Sequence, residues 1–139
     1  MDRVQLDAMN KRVIEEFRAN AGKVGPPFEG APVVLLHNKG AKSGKDRVSP
    51  LVYTRDGERY VIIASYAGAP KHPAWYHNLQ AHPRTKIDIG TETIEVVASE
   101  VTGEERDRLY NAQAEMMPVF HEYQAKTDRK IPVVVLTPV

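Results

Sequence analysis

Apolar positions divide the chain into two regimes. Before Asn20, the residues Val4, Leu6, Met9, Val13, Ile14 and Phe17 recur at near-helical intervals, and Asp2 with Gln5 has the spacing of a capping box. An amphipathic helix is predicted there. Residues 22–30 include Pro26 and Pro27 and read as a linker, which makes the helix an arm packed on the domain. Beyond the linker the pattern shortens to strand length at residues 32–37, 47–55, 58–65, 85–89, 92–101 and 131–137. Asp56 and Gly57 signal a hairpin turn, and Gly90 marks a second. Pro73 suits the first turn of a short helix that ends before Pro83. Thr102 and Glu105 form a capping box for a helix running to about Met116, and residues 118–125 predict one more short helix.

Strands joined mostly by hairpins, with too little intervening helix for parallel crossovers, indicate an α+β fold. The predicted architecture is an antiparallel β-barrel of about six strands, closed or half-closed, with helices at its periphery. Residues 1–30 form the arm and linker, and residues 31–139 the barrel domain.

Composition narrows the function. At 139 residues the chain is long enough for one real core and too short for two. Nineteen basic residues against eighteen acidic ones leave a formal charge of +1, which asks for no nucleic-acid partner. The absence of cysteine removes thiolate nucleophiles and Cys-ligated metals, and it suits a reducing cytoplasm. No apolar run approaches a membrane span, and no signal-peptide core is present, so a cytoplasmic protein is expected. The arm's Arg3, Lys11, Arg12 and Arg18 offer a basic face that would allow weak membrane-surface contact, beside the simpler roles of packing helix or lid. Oligomeric state is left open.

Two segments carry candidate chemistry. In residues 39–47 the cations Lys39, Lys42, Lys45 and Arg47 surround two glycines, and Ser43 adds a hydroxyl. Such a loop can cradle an anion, because glycines let backbone N–H groups approach closely. It can equally be a solvated hairpin loop, and it lacks the Walker A pattern. The second segment places Ala64, Ser65, Ala67, Gly68 and Ala69 before a helix bearing Trp75, Tyr76 and Asn78. Small side chains leave backbone groups free to meet the edge of a planar ring, although a lone Trp beside Leu79 also suits a core. His72, His77 and His82 are spaced five apart, which rotates each off its neighbour's helix face, and no metal site is expected. Ser43 and Ser49 have no evident base partner for nucleophilic catalysis.

Together these motifs resemble the deazaflavin (coenzyme F420)-dependent nitroreductase family, split-barrel reductases. The resemblance rests on G-x-K-S-G-x-x-R-x-x-P at residues 40–50, A-S-x-x-G-A at 64–69, K-x-P-x-W-Y-x-N-L at 71–79 and Y-Q-x-x-T-D-R-x-I-P-V-V-V at 123–135. It implies F420 (8-hydroxy-5-deazaflavin) as cofactor and a small molecule as substrate. It also implies cofactor contacts from Lys42, Ser43, Gly44, Arg47 and Pro50 around the phosphate and glutamyl tail. Ala64, Ser65, Ala67, Gly68, Lys71, Trp75 and Asn78 would then surround the ring.

Departures from the family pattern shape the expected acceptor. Relatives often carry a cation where this chain has Ala41 and a lysine where it has Tyr66, which implies fewer tail contacts here. Nitro-drug-activating members have a tyrosine-rich segment before the Y-Q motif, whereas this chain has Met117 and Phe120 and keeps Tyr123. Val52 likewise replaces an aromatic. The implied substrate wall is Val52, Met117, Phe120 and Tyr123, with Tyr123 as its hydroxyl donor and catalytic candidate. Hydride transfer to a quinone or α,β-unsaturated carbonyl is expected, and nitro compounds should react poorly. The alternatives are an FMN-binding split-barrel oxidase or reductase, and a non-catalytic F420-binding protein.

Overall fold

The computed structural model describes residues 3–26 and 28–139. Helix α1 (Arg3–Ala19) leads into six strands and three further helices: β1 (Val33–Lys39), β2 (Asp46–Asp56), β3 (Arg59–Ile63), α2 (Ala74–Ala81), β4 (Arg84–Ile89), β5 (Glu92–Val101), α3 (Gly103–Met116), α4 (Val119–Ala125) and β6 (Val133–Pro138). All strand pairs are antiparallel and the barrel closes in the order β1-β2-β3-β6-β5-β4, with β4 returning to β1 through Leu36 opposite Ile87. The expected barrel is present. The proposed Asp2–Gln5 capping box lies outside the described residues.

Period-two alternation assigns each strand an inner and an outer row. Val34, Leu36, Ile62, Ile87, Val96 and Leu136 fill the interior. On the outside, Val33 and Leu35 meet Phe17 of α1, while Val61, Ile63, Val133 and Val135 meet Leu109, Tyr110 and Phe120 from α3 and α4. Phe17 and Val13 are fully buried, so most of the arm's apolar stripe is consumed by packing, each such side chain worth about 1.5–3 kcal/mol.

The connections sort by length. Both tight hairpins, Asp56 to Arg59 and Ile89 to Glu92, lie at one end, here called the foot. The loop from β1 to β2 and the helix-bearing connections all lie at the other, the mouth. One expected cap is absent. Thr102 precedes α3 in extended conformation but makes no side-chain cap bond among the described residues, and Glu105 turns instead to Arg59 (3.2 Å). Gly103 enters the helix at φ +62, so the local turn does not bring the two side chains into reciprocal bonding. Pro73 stands one position earlier than expected, as the residue preceding α2.

Candidate functional site

The cationic loop is held by its own backbone and by α2. Gly40 N–H donates to Lys45 O (2.9 Å), Gly44 N–H to Gly40 O (2.9 Å) and Lys45 N–H to Ser43 Oγ (3.2 Å). A side chain at residue 40 would collide with Ser43 Oγ, and Gly44 adopts φ +70, so both glycines serve the turn. Asn78 reaches from α2 and accepts the Ala41 N–H (2.9 Å). Its amide donates to Asn38 Oδ1 (2.8 Å), and Asn38 Nδ2 donates to Ser49 Oγ (3.2 Å). Both asparagines are buried. Asn78 therefore anchors the loop rather than lining an open slot.

Lys42, Ser43, Gly44, Lys45 and Arg47 are exposed. Among the described residues, Lys39, Lys42, Lys45 and Arg47 have no acidic partner. The cationic surface continues across the barrel wall. A groove of about 550 Å³ is lined by Lys39, Arg47, His82, Arg84 and Lys86, with Asp46 and Glu95 as its acidic members. Arg84 and Lys86 were not singled out from sequence. Their alternation with Thr85 and Ile87 was the available signal, since it sets both on one face of β4. Pro50 is buried opposite Leu35, on the outer row under α1.

The small-residue segment forms a left-handed turn. Ser65 is right-handed helical (φ −73, ψ −37), and Tyr66, Ala67 and Gly68 follow at φ 46, 53 and 80. Holding two residues with side chains in this region costs about 1–2 kcal/mol each, so neighbouring structure must impose it. Gly68 has no alternative: a Cβ there would lie 2.8 Å from Tyr123 O and 3.1 Å from Lys126 Cβ. The Ser65, Tyr66 and Ala67 amides have no acceptor among the described residues. A right-handed residue followed by left-handed ones turns successive N–H groups into a concavity that binds anions or carbonyl-type oxygens.

Between the loop and this turn, α2 plugs the barrel. Trp75, Tyr76 and Leu79 pack with Val34, Leu36, Ile87 and Val96, and Trp75 is only 7% exposed. Trp75 is thus chiefly a core residue. The Tyr76 hydroxyl donates to the Glu100 carboxylate and accepts from Gln80 Nε2 (3.1 Å). Burial, then the Glu100 carboxylate, push the Tyr76 hydroxyl up to about 12. Lys71 is exposed on the approach to α2, and Ala64 is buried at the end of β3.

Tyr123 borders the turn from the other side, its backbone against Gly68. Its ring meets Phe120 edge-on, with centroids 5.3 Å apart, in a cluster that also holds Met117. The Tyr123 hydroxyl has no hydrogen-bond partner among the described residues, and the ring is half-buried. Met117, Phe120 and Tyr123 are therefore brought together. Val52 is not with them; it is buried opposite Val33 on the outer row. Arg129 was quoted within a motif but given no role, and it makes the most extensive polar contacts at the mouth. Among the described residues no group of three or more His, Cys, Asp or Glu is arranged to hold a metal.

Comparison with known proteins supplies independent information. The sequence profile described as F420H(2)-dependent quinone reductase matches residues 9–138. A curated relative from Mycobacterium tuberculosis (strain ATCC 25618 / H37Rv), named F420H(2)-dependent quinone reductase, is 42% identical over 125 residues, covering 87% of this chain and 84% of that protein. A solved F420-H2 dependent reductase (FDR-A) is 42% identical with a TM-score of 0.69, covering 76% of this chain and 93% of that one. Another solved chain, described as a domain-swapped dimer, is 35% identical with a TM-score of 0.71, covering 97% of this chain and 99% of that one. A haem storage protein from Vibrio cholerae shares the fold at 17% identity and a TM-score of 0.61. Matched through all six strands and by relatives this similar over most of their own length, the chain belongs to the F420H(2)-dependent quinone reductase family.

Proposed function

We propose that the mouth of the barrel binds F420 and holds an electron-poor acceptor beside Tyr123. One observation carries this reading: unpaired cations on the loop bonded to α2 and unbonded amides in the turn leading into α2 stand at the same end of the barrel. The chain is an F420-dependent oxidoreductase by family, and the residues present suit the two halves of that cofactor. Lys42, Ser43 and Arg47 would hold the phosphate and glutamyl tail on a loop shaped by Gly40 and Gly44. Lys39, Lys45, Arg84 and Lys86 extend the attractive field. The amides of Ser65, Tyr66 and Ala67 would meet the oxygen-bearing edge of the ring, with Lys71 at the approach, while buried Ala64 and Gly68 seat the turn against the barrel and α4. Trp75 and Asn78 support this surface from behind, while Pro50 shapes β2 further down the barrel wall.

When bound, the reduced cofactor supplies a hydride. The protein's share is to orient the acceptor and stabilise charge developing on it. Met117 and Phe120 give an apolar wall, and the free Tyr123 hydroxyl would donate a hydrogen bond to a carbonyl oxygen. Quinones meet that requirement, as do α,β-unsaturated carbonyls. Nitroimidazoles benefit from several donors and should react poorly with one.

Side-by-side titration with F420, FMN and FAD tests the cofactor. F420 should bind most tightly, and equal or tighter flavin binding would favour an FMN enzyme. Steady-state oxidation of reduced F420 by a quinone, an enone and a nitroimidazole tests the acceptor. F420 binding with no turnover of any of them would favour a non-catalytic binding protein. Efficient nitroimidazole turnover without the other two would overturn the substrate reading.

A second reading concerns the arm. Val4 is 77% exposed on a helix that also exposes Lys11, Arg12 and Arg18, which favours weak contact with an anionic lipid surface. No described helix is long and apolar enough to cross a membrane. Co-sedimentation with phosphatidylserine vesicles should fall on Val4→Asp; no sedimentation of the parent protein would remove the reading.

A further inference from the structure

Arg129, in the connection between α4 and β6, spends its guanidinium on backbone. Nε donates to Ala69 O (2.9 Å), Nη1 to Ala64 O (3.1 Å) and Nη2 to Ser65 O (2.7 Å). Nη1 also faces His72 Nδ1 at 3.0 Å. A guanidinium has no acceptor, so Nδ1 accepts and the ring proton of His72 sits on Nε2. No carboxylate pairs with Arg129 among the described residues.

Arg129 is itself fixed. Its carbonyl accepts from Gln124 Nε2 (2.8 Å), and its N–H donates to Thr127 Oγ1 (3.3 Å). Gln124 Oε1 takes both the Ile131 N–H (3.0 Å) and Arg106 Nη2 (2.8 Å), and Arg106 grips Ile131 O through Nε (3.0 Å) and Nη2 (2.7 Å).

The peptide bond turns these contacts into orientation. In a trans peptide, C=O and the following N–H point in opposite directions. Arg129 holds Ala64 O and Ser65 O, so the Ser65 and Tyr66 N–H groups face away from it. These are two of the three unbonded amides of the left-handed turn. We propose that Arg129 is the positioning residue that holds residues 65–69 so that the Ser65 and Tyr66 amides are presented to the cofactor ring, and that it does so only while His72 is neutral. The inference rests on the reading that this turn meets the deazaflavin. A second proton on His72 would sit on Nδ1 and set a donor and a positive charge against Nη1. The groups facing His72 are Arg129, Tyr76 and His77 from α2, and Glu100 from β5. Burial, then Arg129 and His77, hold its pKa below the ordinary 6.5, outweighing Glu100.

The test measures binding of oxidised F420 by fluorescence between pH 5 and 8, with hydrogen exchange of the peptide spanning residues 64–69. In the parent protein, F420 should protect that peptide; absence of protection would remove the ring-contact reading itself. Given protection, Arg129→Lys should weaken F420 binding by about tenfold or more, because an ammonium cannot span three carbonyls. Affinity of the parent should fall several-fold on acidification below pH 6.5. His72→Asn, which keeps an acceptor but cannot titrate, should bind well and lose that fall. Parent-like affinity in Arg129→Lys with the turn still protected, or the same acid fall in His72→Asn as in the parent, would overturn the proposal. Should Arg129→Lys fail to fold, the His72→Asn profile decides alone.

Discussion

The two ends of the barrel treat charge in opposite ways. At the foot, Arg108 bonds Asp56 (3.2 Å), Arg59 bonds both Asp56 and Glu105, and the hairpin closes on its own residues. At the mouth, Lys39, Lys42, Lys45 and Arg47 crowd one loop without an acidic partner among the described residues. Backbone differs in the same sense. Gly57 at the foot takes φ +61 with open space around it, whereas Gly68 at the mouth takes φ +80 against Tyr123 and Lys126. Mutual repulsion among unpaired cations is a cost that folding alone gives no reason to place in one loop. A multiply charged, ring-bearing ligand gives that reason.

The largest expected effect falls on Tyr123. Tyr123→Phe should lower turnover of a quinone by roughly tenfold to a thousandfold if its hydroxyl acts mainly in the transition state, and leave F420 affinity unchanged. An unchanged rate would remove the hydroxyl from the mechanism.

Paired glycine substitutions sharpen the contrast of backbone. Gly57→Ala should cost about 1–2 kcal/mol of stability for its left-handed φ and leave F420 binding alone. Gly68→Ala should cost more, because the added methyl meets Tyr123 O at 2.8 Å, and it should also weaken F420 binding. Urea denaturation and cofactor titration read the two effects separately. Equal effects on binding would break the distinction between the ends.

Charge is tested next. Lys42→Ala or Arg47→Ala should weaken F420 binding by about 1.5–3 kcal/mol if each makes a charge-assisted hydrogen bond, and less where solvent screens it. Added salt should weaken the parent more than either variant. Arg108→Ala, at the foot, should leave both affinity and salt slope as they were. Identical slopes for all four proteins would make the loop a solvated turn.

The ends should also respond to acid in different windows. His72 has a lowered pKa in the folded state, so the unfolded chain takes up its proton first, and this contribution is lost as pH falls below 6.5. Asp56 is held down to about 2 by hydrogen bonds from Arg108 and then Arg59, so its contribution is present above 3.8 and lost as pH falls toward 2. Urea midpoints from pH 8 to pH 2 should fall in the upper window for the parent but not for His72→Asn, and in the lower window less for Asp56→Asn than for the parent, because Asp88 also keeps a lowered pKa.

The smallest effect lies between the ends. Gln113 is fully buried in α3, and neither amide atom is hydrogen-bonded among the described residues. Gln113→Met should stabilise by about 1 kcal/mol, since an unsatisfied buried amide costs more than an apolar side chain of similar volume, and F420 binding should not move. A destabilised variant would mean that the amide has a partner.

What the sequence determined by itself is what nearest neighbours decide. Six strands, both hairpins, the helices and the cationic loop follow from alternation, Asp56 with Gly57, Gly90 and the placement of proline, all effects acting over a few residues. The linked motifs also carried the family. The tertiary structure decided what each motif residue does. Asn78 looked like a ring contact and is the anchor of Ala41, 37 residues away in sequence. Trp75 fills the barrel, and Val52 lies on the outer row because strand pairing sets it opposite Val33. Arg84 and Lys86 join the cationic surface only because β4 closes the barrel against β1. Arg129 meets Ser65 and Ala64 across 64 and 65 residues of chain, a contact that no local pattern encodes. Local pattern fixes the direction of each side chain relative to its own strand or helix; only closure of the barrel fixes which neighbour it meets.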